Sequence, residues 1–109
     1  MSVLDVNGLD QFTNTIMIQD GLVVFATYAD WSTPSKEMME NLESISDEFR
    51  GSIRFAKMNA DTEGSVEMFR DLGISAVPSF VVIKDRVPVN VVSGLVDADR
   101  LRTYLTGLL

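Results

Sequence analysis

The stretch Trp31-Ser32-Thr33-Pro34-Ser35-Lys36 closely follows the apolar run Leu22-Val23-Val24-Phe25-Ala26-Thr27-Tyr28-Ala29. A run that is apolar on both alternating faces, apart from Thr27, predicts a strand in the middle of a sheet. A serine or threonine just before a proline is typical of a helix start, with the hydroxyl as N-cap and the proline in the first turn. Together the two stretches predict a strand–turn–helix unit with its turn at Ser32 to Pro34.

The rest of the chain continues this alternation of strands and helices. Apolar residues recur at strand or helix spacing in the order β-α-β-α-β-α-β-β-α. Strands that alternate with helices imply parallel crossovers, and the tight connection at residues 84–86 makes the last two strands an antiparallel hairpin. We therefore predict an α/β fold in a single domain over residues 1–109. Its mixed five-stranded sheet should carry helices on both faces.

Turn and capping signals mark the helix ends. The predicted N-caps are Asn7 for the first helix, Asp61 or Thr62 for the third, and Asp97 for the last. In the third helix the apolar spacing predicts that Val66 faces the core. Pro88 places the last strand at an edge of the sheet, because proline has no N–H to donate to a neighbouring strand.

The composition excludes catalysis by thiols and by imidazole. The chain of 109 residues contains neither cysteine nor histidine. Thiol–disulfide exchange is therefore impossible, and a Ser-His-Asp mechanism lacks its base. A hydrolase that used Ser32 or Ser35 with Lys36 as base is disfavoured, because Lys36 follows Ser35 on a helix and points to another face.

Metal and cofactor sites are also disfavoured by the composition. Zinc, copper, haem and iron–sulfur sites usually need thiolate or imidazole ligands, so we expect no metal and no cofactor. Asp97-Ala98-Asp99 is the nearest candidate for a hard cation, and it fits a helix start better.

The net charge bears on partners and location. Nine basic and 16 acidic side chains give a formal charge of −7. An acidic balance argues against nucleic acid and against anionic membranes as partners. We find no signal-peptide pattern, and the longest apolar run is too short to span a bilayer. We therefore expect a cytoplasmic monomer.

Four stretches of the chain resemble the thioredoxin family. Trp31 to Lys36 resembles its active site, Trp-Cys-x-Pro-Cys-Lys, with serine at both cysteine positions. Phe55-Ala56-Lys57-Met58-Asn59-Ala60-Asp61 resembles its third strand, and Ala76-Val77-Pro78-Ser79-Phe80 its cis-proline loop. Ser93-Gly94-Leu95 is similar to the glycine turn that completes its substrate groove. Their order and spacing imply the thioredoxin fold over nearly the whole chain.

The resemblance also implies a functional site. It assigns Ser32 and Ser35 to the positions of the two redox cysteines, both of them inert as serine. It implies a substrate-binding groove made of Trp31, Thr33, Pro34, Val77, Pro78 and Gly94. A cis Val77–Pro78 bond, implied in the same way, would leave the Val77 backbone free to pair with an extended peptide.

The chain departs from the family pattern at three further places, one of which is Thr33, where the family often has glycine. Many members have a buried aspartate beneath the cysteines, where this chain has Ala26. Lys57 then lacks its family partner, and we assign it no catalytic role. The connection Lys84-Asp85-Arg86 lacks the Asn-Gly turn that is common in the family.

Three functions remain open from the sequence. The first, which we favour, is a thioredoxin, a protein-disulfide reductase of cell redox homeostasis, that is inactive as written because both cysteines are replaced by serine. Retention of Trp31, Pro34, Lys36 and Pro78 favours it. Its dithiol parent would have disulfide-bearing proteins and a thioredoxin reductase as partners. The second is a natural redox-dead protein-binding module, which Ala26 favours, and the third is a designed cysteine-free scaffold.

Overall fold

The computed structural model describes residues 3–109. Its strands and helices follow the predicted order β-α-β-α-β-α-β-β-α, which is thereby confirmed. The elements are β1 (Val3–Asp5), α1 (Leu9–Thr15), β2 (Leu22–Tyr28), α2 (Thr33–Ser46), a 3-10 turn (Asp47–Phe49), β3 (Ile53–Asn59), α3 (Ser65–Asp71), β4 (Ser79–Lys84), β5 (Val87–Ser93) and α4 (Ala98–Thr106). No helix within residues 3–109 is long and apolar enough to cross a membrane.

The strands form one mixed sheet in the order β1-β3-β2-β4-β5. Strands β1, β3 and β2 run parallel, whereas β4 is antiparallel to both β2 and β5. The predicted central strand is β2, and its residues 23–27 are all buried. Pro88 lies on β5, the outer strand at one edge of the sheet, as predicted. Proline has no N–H to donate, and an edge strand has no neighbour on its outer side that would need one.

Helices cover both faces of the sheet. Side chains alternate between the faces along each strand, so the sheet has two apolar layers. One layer packs against α2 and α4 and includes Val24, Ala26, Phe55, Phe80, Met38, Leu42, Leu101 and Leu105. The other packs against α1 and α3 and includes Val23, Phe25, Met58, Val81, Phe12 and Phe69. The predicted fold class, an α/β thioredoxin fold with a five-stranded mixed sheet, is confirmed.

The predicted N-cap of the first helix is wrong. Gly8 occupies the N-cap position of α1, and no side chain caps that helix. Asn7 instead uses its backbone N–H, which donates to Gln11 Oε1 at 2.7 Å. The Gln11 amide also donates to the carbonyl of Asp5 at 3.0 Å. A glutamine one turn into the helix thus stabilises the β1–α1 connection in place of the asparagine side chain.

The predicted caps of the third helix are wrong as well. Gly64, with φ +83°, is the N-cap of α3, and no side chain caps it. Asp61 and Thr62 lie in the preceding turn, three and two residues too early to reach the first N–H groups of the helix. At the last helix the prediction is confirmed, because Asp97 accepts from the Arg100 N–H at 2.8 Å.

Val66 faces solvent rather than the core. It is 69% exposed, because the buried side of α3 carries Ser65, Met68 and Phe69. Val66 follows Ser65 by one residue, about 100° further around the helix. The apolar spacing therefore indicated the wrong stripe in this short helix.

The β4–β5 turn has an unusual backbone for its residues. Asp85 and Arg86 have φ of 49° and 71°, in the left-handed region that a two-residue hairpin turn of this hand requires. The Asp85 N–H donates to the Gly21 carbonyl at 2.9 Å. The Gly21 N–H donates back to Asp85 Oδ1 at 2.8 Å. This pair of hydrogen bonds anchors the turn without the Asn-Gly sequence.

Candidate functional site

The start of α2 places Ser32 at the centre of the candidate site. Ser32 is the N-cap, and its Oγ accepts from the Ser35 N–H at 3.2 Å. Its own N–H donates to the Ala29 carbonyl at 3.1 Å. Thr33 and Pro34 form the first helical positions, where proline is favoured. The predicted strand–turn–helix unit is therefore present, with the hydroxyl of Ser32 engaged in capping.

Ser35 lies beneath this turn and is fully buried. Its Oγ accepts from the Ala29 N–H at 3.2 Å, which ties the turn to the helix. Within residues 3–109 no ionisable side chain hydrogen-bonds to either serine hydroxyl. Neither Ser32 nor Ser35 therefore has a base that would activate it as a nucleophile.

The sheet brings three separate loops to the same end of its strands. Thr27 near the end of β2 is the register partner of Ser79 at the start of β4, and their hydroxyl oxygens lie 2.7 Å apart. The Gly94 N–H, just after β5, donates to the Pro78 carbonyl at 2.8 Å. The residues after β2, before β4 and after β5 consequently surround one end of the sheet. Local sequence patterns alone do not bring them together.

The six residues of the predicted groove differ in exposure. Trp31, Thr33 and Pro34 are exposed, Val77 and Gly94 are half-buried, and Pro78 is buried. The Val77–Pro78 peptide bond is cis. The N–H and C=O of Val77 have no hydrogen-bond partner within residues 3–109. An extended chain could therefore reach both groups at this surface.

Trp31 projects from the molecule instead of joining the core. It is 69% exposed, and its indole Nε1 lies 3.5 Å from Asp61 Oδ1, at the long limit of a hydrogen bond. Asn59 at the end of β3 connects the two loops: its Oδ1 accepts from the Asp61 N–H at 2.9 Å, and its Nδ2 donates to Asp30 at 3.3 Å. Sequence analysis missed this role of Asn59, although an asparagine that ends a strand is a common turn signal.

Behind the turn lies Ala26, at the position where the family resemblance implies a buried aspartate. Lys57 contacts other side chains instead. Ala26 is fully buried and is the register partner of Lys57 on β3. Lys57 Nζ lies 3.1 Å from Glu43 Oε1 on α2 and 3.9 Å from Asp5 Oδ1 on β1. It also lies 5.6 Å from the centre of the Tyr28 ring, within the range of a cation–π contact.

The surroundings of Lys57 and Tyr28 raise the pKa of both groups above values that are already far from neutral. Burial acts to lower the pKa of Lys57, but the hydrogen bond that Lys57 donates to Glu43 and the charge of Asp5 outweigh it and raise that pKa. Burial, with the charge of Asp5, raises the pKa of Tyr28. Neither Lys57 nor Tyr28 can therefore act as a proton acceptor near neutral pH. The sequence places Glu43 among the acids on the outer side of α2, and only the packing of α2 on the sheet brings it to Lys57.

The hard-cation candidate does not form a metal site. Asp97 caps α4, and Asp99 Oδ1 accepts from Arg102 Nη1 at 2.8 Å. In the part of the chain that the structure describes, no group of acidic side chains converges closely enough to hold a metal ion.

Comparison with known proteins establishes the family. The thioredoxin family model matches residues 3–107. The chain belongs to the thioredoxin family. A probable thioredoxin-2 of Caenorhabditis elegans is 30% identical over 108 residues, which cover 99% of this chain and 73% of that protein. The structure of Malassezia sympodialis thioredoxin is 28% identical with a TM-score of 0.80, covering 97% of this chain and 90% of that one. Monothiol glutaredoxin-4 of Saccharomyces cerevisiae is 33% identical over 97 residues, 85% of this chain but 38% of that protein.

Because the chain belongs to the thioredoxin family, its lack of cysteine bears directly on the dithiol active site. This thioredoxin-family chain contains no cysteine at all, so it has no dithiol active site. Ser32 and Ser35 stand where the frame Trp31 to Lys36 resembles a pair of redox cysteines. The hydroxyl of Ser32 caps α2, and that of Ser35 is buried. As it stands, the chain has a thioredoxin fold without thiol chemistry.

Proposed function

We propose that this chain is a redox-inactive thioredoxin that binds extended segments of other proteins noncovalently. The binding surface is the groove of Trp31, Thr33, Pro34, Val77, Pro78 and Gly94 around Ser32. The observation that carries the proposal is the backbone of Val77, which has no hydrogen-bond partner within residues 3–109 and lies at the same end of the sheet as the exposed Trp31. We further propose that the protein is a cytoplasmic monomer. We also propose that it binds neither nucleic acid nor membranes, and the net charge of −7 supports this for nucleic acid and anionic membranes.

Binding would use the backbone first and side chains second. A peptide that runs alongside Val77 forms main-chain hydrogen bonds with its N–H and C=O, as an added short strand. Its apolar side chains then cover Trp31 and Pro34. Affinity should be low, because a small patch must offset the loss of the peptide's conformational freedom. Serine preserves the size of the reactive positions, so recognition does not depend on the lost covalent step.

A titration followed by amide chemical shifts tests this proposal. The probe is the insulin B chain with its cysteines carboxymethylated, which supplies an extended segment without thiols. We expect shifts at residues 31–35 and 76–79, and weaker binding by Trp31→Ala. Val66→Ala is the matched control, because Val66 and Trp31 are both 69% exposed and Val66 lies on α3. Shifts confined to another face, with both segments silent, would refute the groove.

A second candidate is disulfide reduction by a dithiol parent. It is supported by Ser32 at the helix N-terminus, where a thiolate is stabilised, and by the buried Ser35 directly behind it. In such a parent, the thiolate at 32 attacks a substrate disulfide and releases one thiolate. The thiolate at 35 then forms the internal disulfide and releases the second. The partners would be disulfide-bearing proteins and a thioredoxin reductase.

Two variants separate the candidates. Ser32→Cys with Ser35→Cys should form an internal disulfide and reduce insulin with dithiothreitol as donor, whereas Ser35→Cys alone should not turn over. If the double variant folds but forms no internal disulfide, the dithiol parent is excluded and binding alone remains. Ala26 supports a natural binding module, because the acid that many family members have at this position is missing along with the cysteines.

A further inference from the structure

A cavity of about 390 Å³ lies at the opposite end of α2 from the groove. Helix α2 has 14 residues, and Ser46 at its last turn lines the cavity. At 1.5 Å per residue, about 20 Å separates the cavity from Ser32. It is therefore a separate site, and neither the dithiol chemistry of the family nor the groove accounts for it.

The wall of this cavity is mainly apolar. The lining comes from both faces of the sheet at its β1 edge: Leu4 and Ile16 lie on the side of α1, whereas Ile53 and Phe55 on β3 belong to the layer that packs against α2. Leu4 is 40% exposed, although its neighbours in the wall are buried. The volume falls within the usual range for pockets that hold small molecules, about 300–1,000 Å³. An apolar ligand of suitable size would remove the exposed part of Leu4 from water.

Among residues 3–109, both charged residues that line the cavity are cationic. They are Arg50 and Arg54, in a chain whose net charge is −7. Arg50 is paired with Asp47 at 2.9 Å. Within residues 3–109, Arg54 has no carboxylate within 4.0 Å and lies beside the apolar wall. The cavity thus combines an apolar interior with an available guanidinium, and no acid from the described part of the chain lines it.

We propose that this cavity binds a small amphipathic anion: a free aliphatic chain that ends in a single carboxylate. The chain lies against Leu4 and Ile16, which share one face of the sheet with Arg54, and the carboxylate accepts two N–H groups from the planar guanidinium of Arg54. Charge complementarity selects this occupant over a neutral or cationic one of the same length. The apolar wall selects it over a small inorganic anion.

The test uses decanoate below its micelle-forming concentration and follows amide shifts of the full chain. We expect shifts at residues 15–16 and 50–55, with residues 31–35 silent. Affinity should rise about fourfold per added methylene from hexanoate to decanoate. Arg54→Gln should weaken decanoate binding about tenfold. Arg70→Gln, which removes another exposed arginine without an ion pair in residues 3–109, should leave it unchanged.

Further probes separate this site from unspecific adsorption. Decan-1-ol and decyltrimethylammonium should bind much more weakly than decanoate, and Leu4→Gln should weaken the decanoate complex. Equal affinity for the three compounds, or equal binding by Arg54→Gln and Arg70→Gln, would overturn the proposal. So would shifts spread over residues 31–35, or association only with decanoate micelles or lipid vesicles.

Discussion

Replacing Glu43 with glutamine should destabilise the protein through Lys57. The change removes the charge that lies 3.1 Å from Lys57 Nζ and keeps the shape of the side chain. The side chain of Lys57 is 16% exposed and that of Glu43 is 35% exposed. Exposed pairs contribute about 0.2–1 kcal/mol, whereas breaking a fully buried pair costs about 3–5 kcal/mol. Asp5, at 3.9 Å, retains part of the attraction, so we expect a loss of about 1–2 kcal/mol.

Urea unfolding and thermal melting measure this loss. For a domain near this size, each kcal/mol lowers Tm by about 4–8 °C. Glu40→Gln on the same helix is the matched control. Glu40 is exposed and has no ion pair with any residue of 3–109, so we expect a change below about 0.5 kcal/mol. A double-mutant cycle with Lys57→Met isolates the pairwise interaction. Equal effects of Glu43→Gln and Glu40→Gln, or an interaction energy of zero, would show this reasoning to be wrong.

The same pair predicts the direction of the pH dependence. The folded state raises the pKa of Lys57 above its ordinary value of 10.5. Its contribution is therefore fully present below pH 10.5 and is lost as the pH rises through the higher, folded pKa. The stability advantage of the wild type over Glu43→Gln should shrink in that alkaline range. The raised pKa of Tyr28 acts in both proteins and should largely cancel in the comparison. An advantage that stays constant at alkaline pH would contradict the assignment.

Three further predictions concern the turns and the site. Ser32→Ala should cost about 1 kcal/mol in urea unfolding, because the N-cap acceptor is lost, and Ser32→Thr should retain most of that stability; equal stability of the two variants would argue against capping. Arg86→Gly should stabilise by about 0.5 kcal/mol, because glycine adopts a φ of 71° without strain, and a loss of stability by the same assay would contradict this. In the variant with Ser32→Cys and Ser35→Cys, adding Ala26→Asp should change the pH profile of insulin reduction. Superimposable profiles with and without Ala26→Asp would show that an acid at this position takes no part in the proton transfer of insulin reduction.

The strength and the failures of sequence analysis are clearest at the helix starts. Asp97 was predicted correctly, because its cap joins residues only three apart and depends on no other element. The prediction of Asn7 as an N-cap was wrong, because its N–H donates to the side chain of Gln11 and Gly8 directly precedes the helix. Val66 was wrong, because in a helix of seven residues several apolar stripes fit the spacing and only the sheet selects one.

Composition by itself excluded thiol and imidazole chemistry, since no fold can supply cysteine or histidine that the chain lacks. Local pattern determined the buried strand β2 and the start of α2 at Ser32, because both depend on neighbours within one turn or one strand. Only the tertiary structure decided that Glu43 pairs with Lys57 and that Arg54 lies beside an apolar cavity. These contacts join residues whose approach is set by sheet register and helix packing. Many registers suit the same local pattern, and burial of the whole core selects one of them.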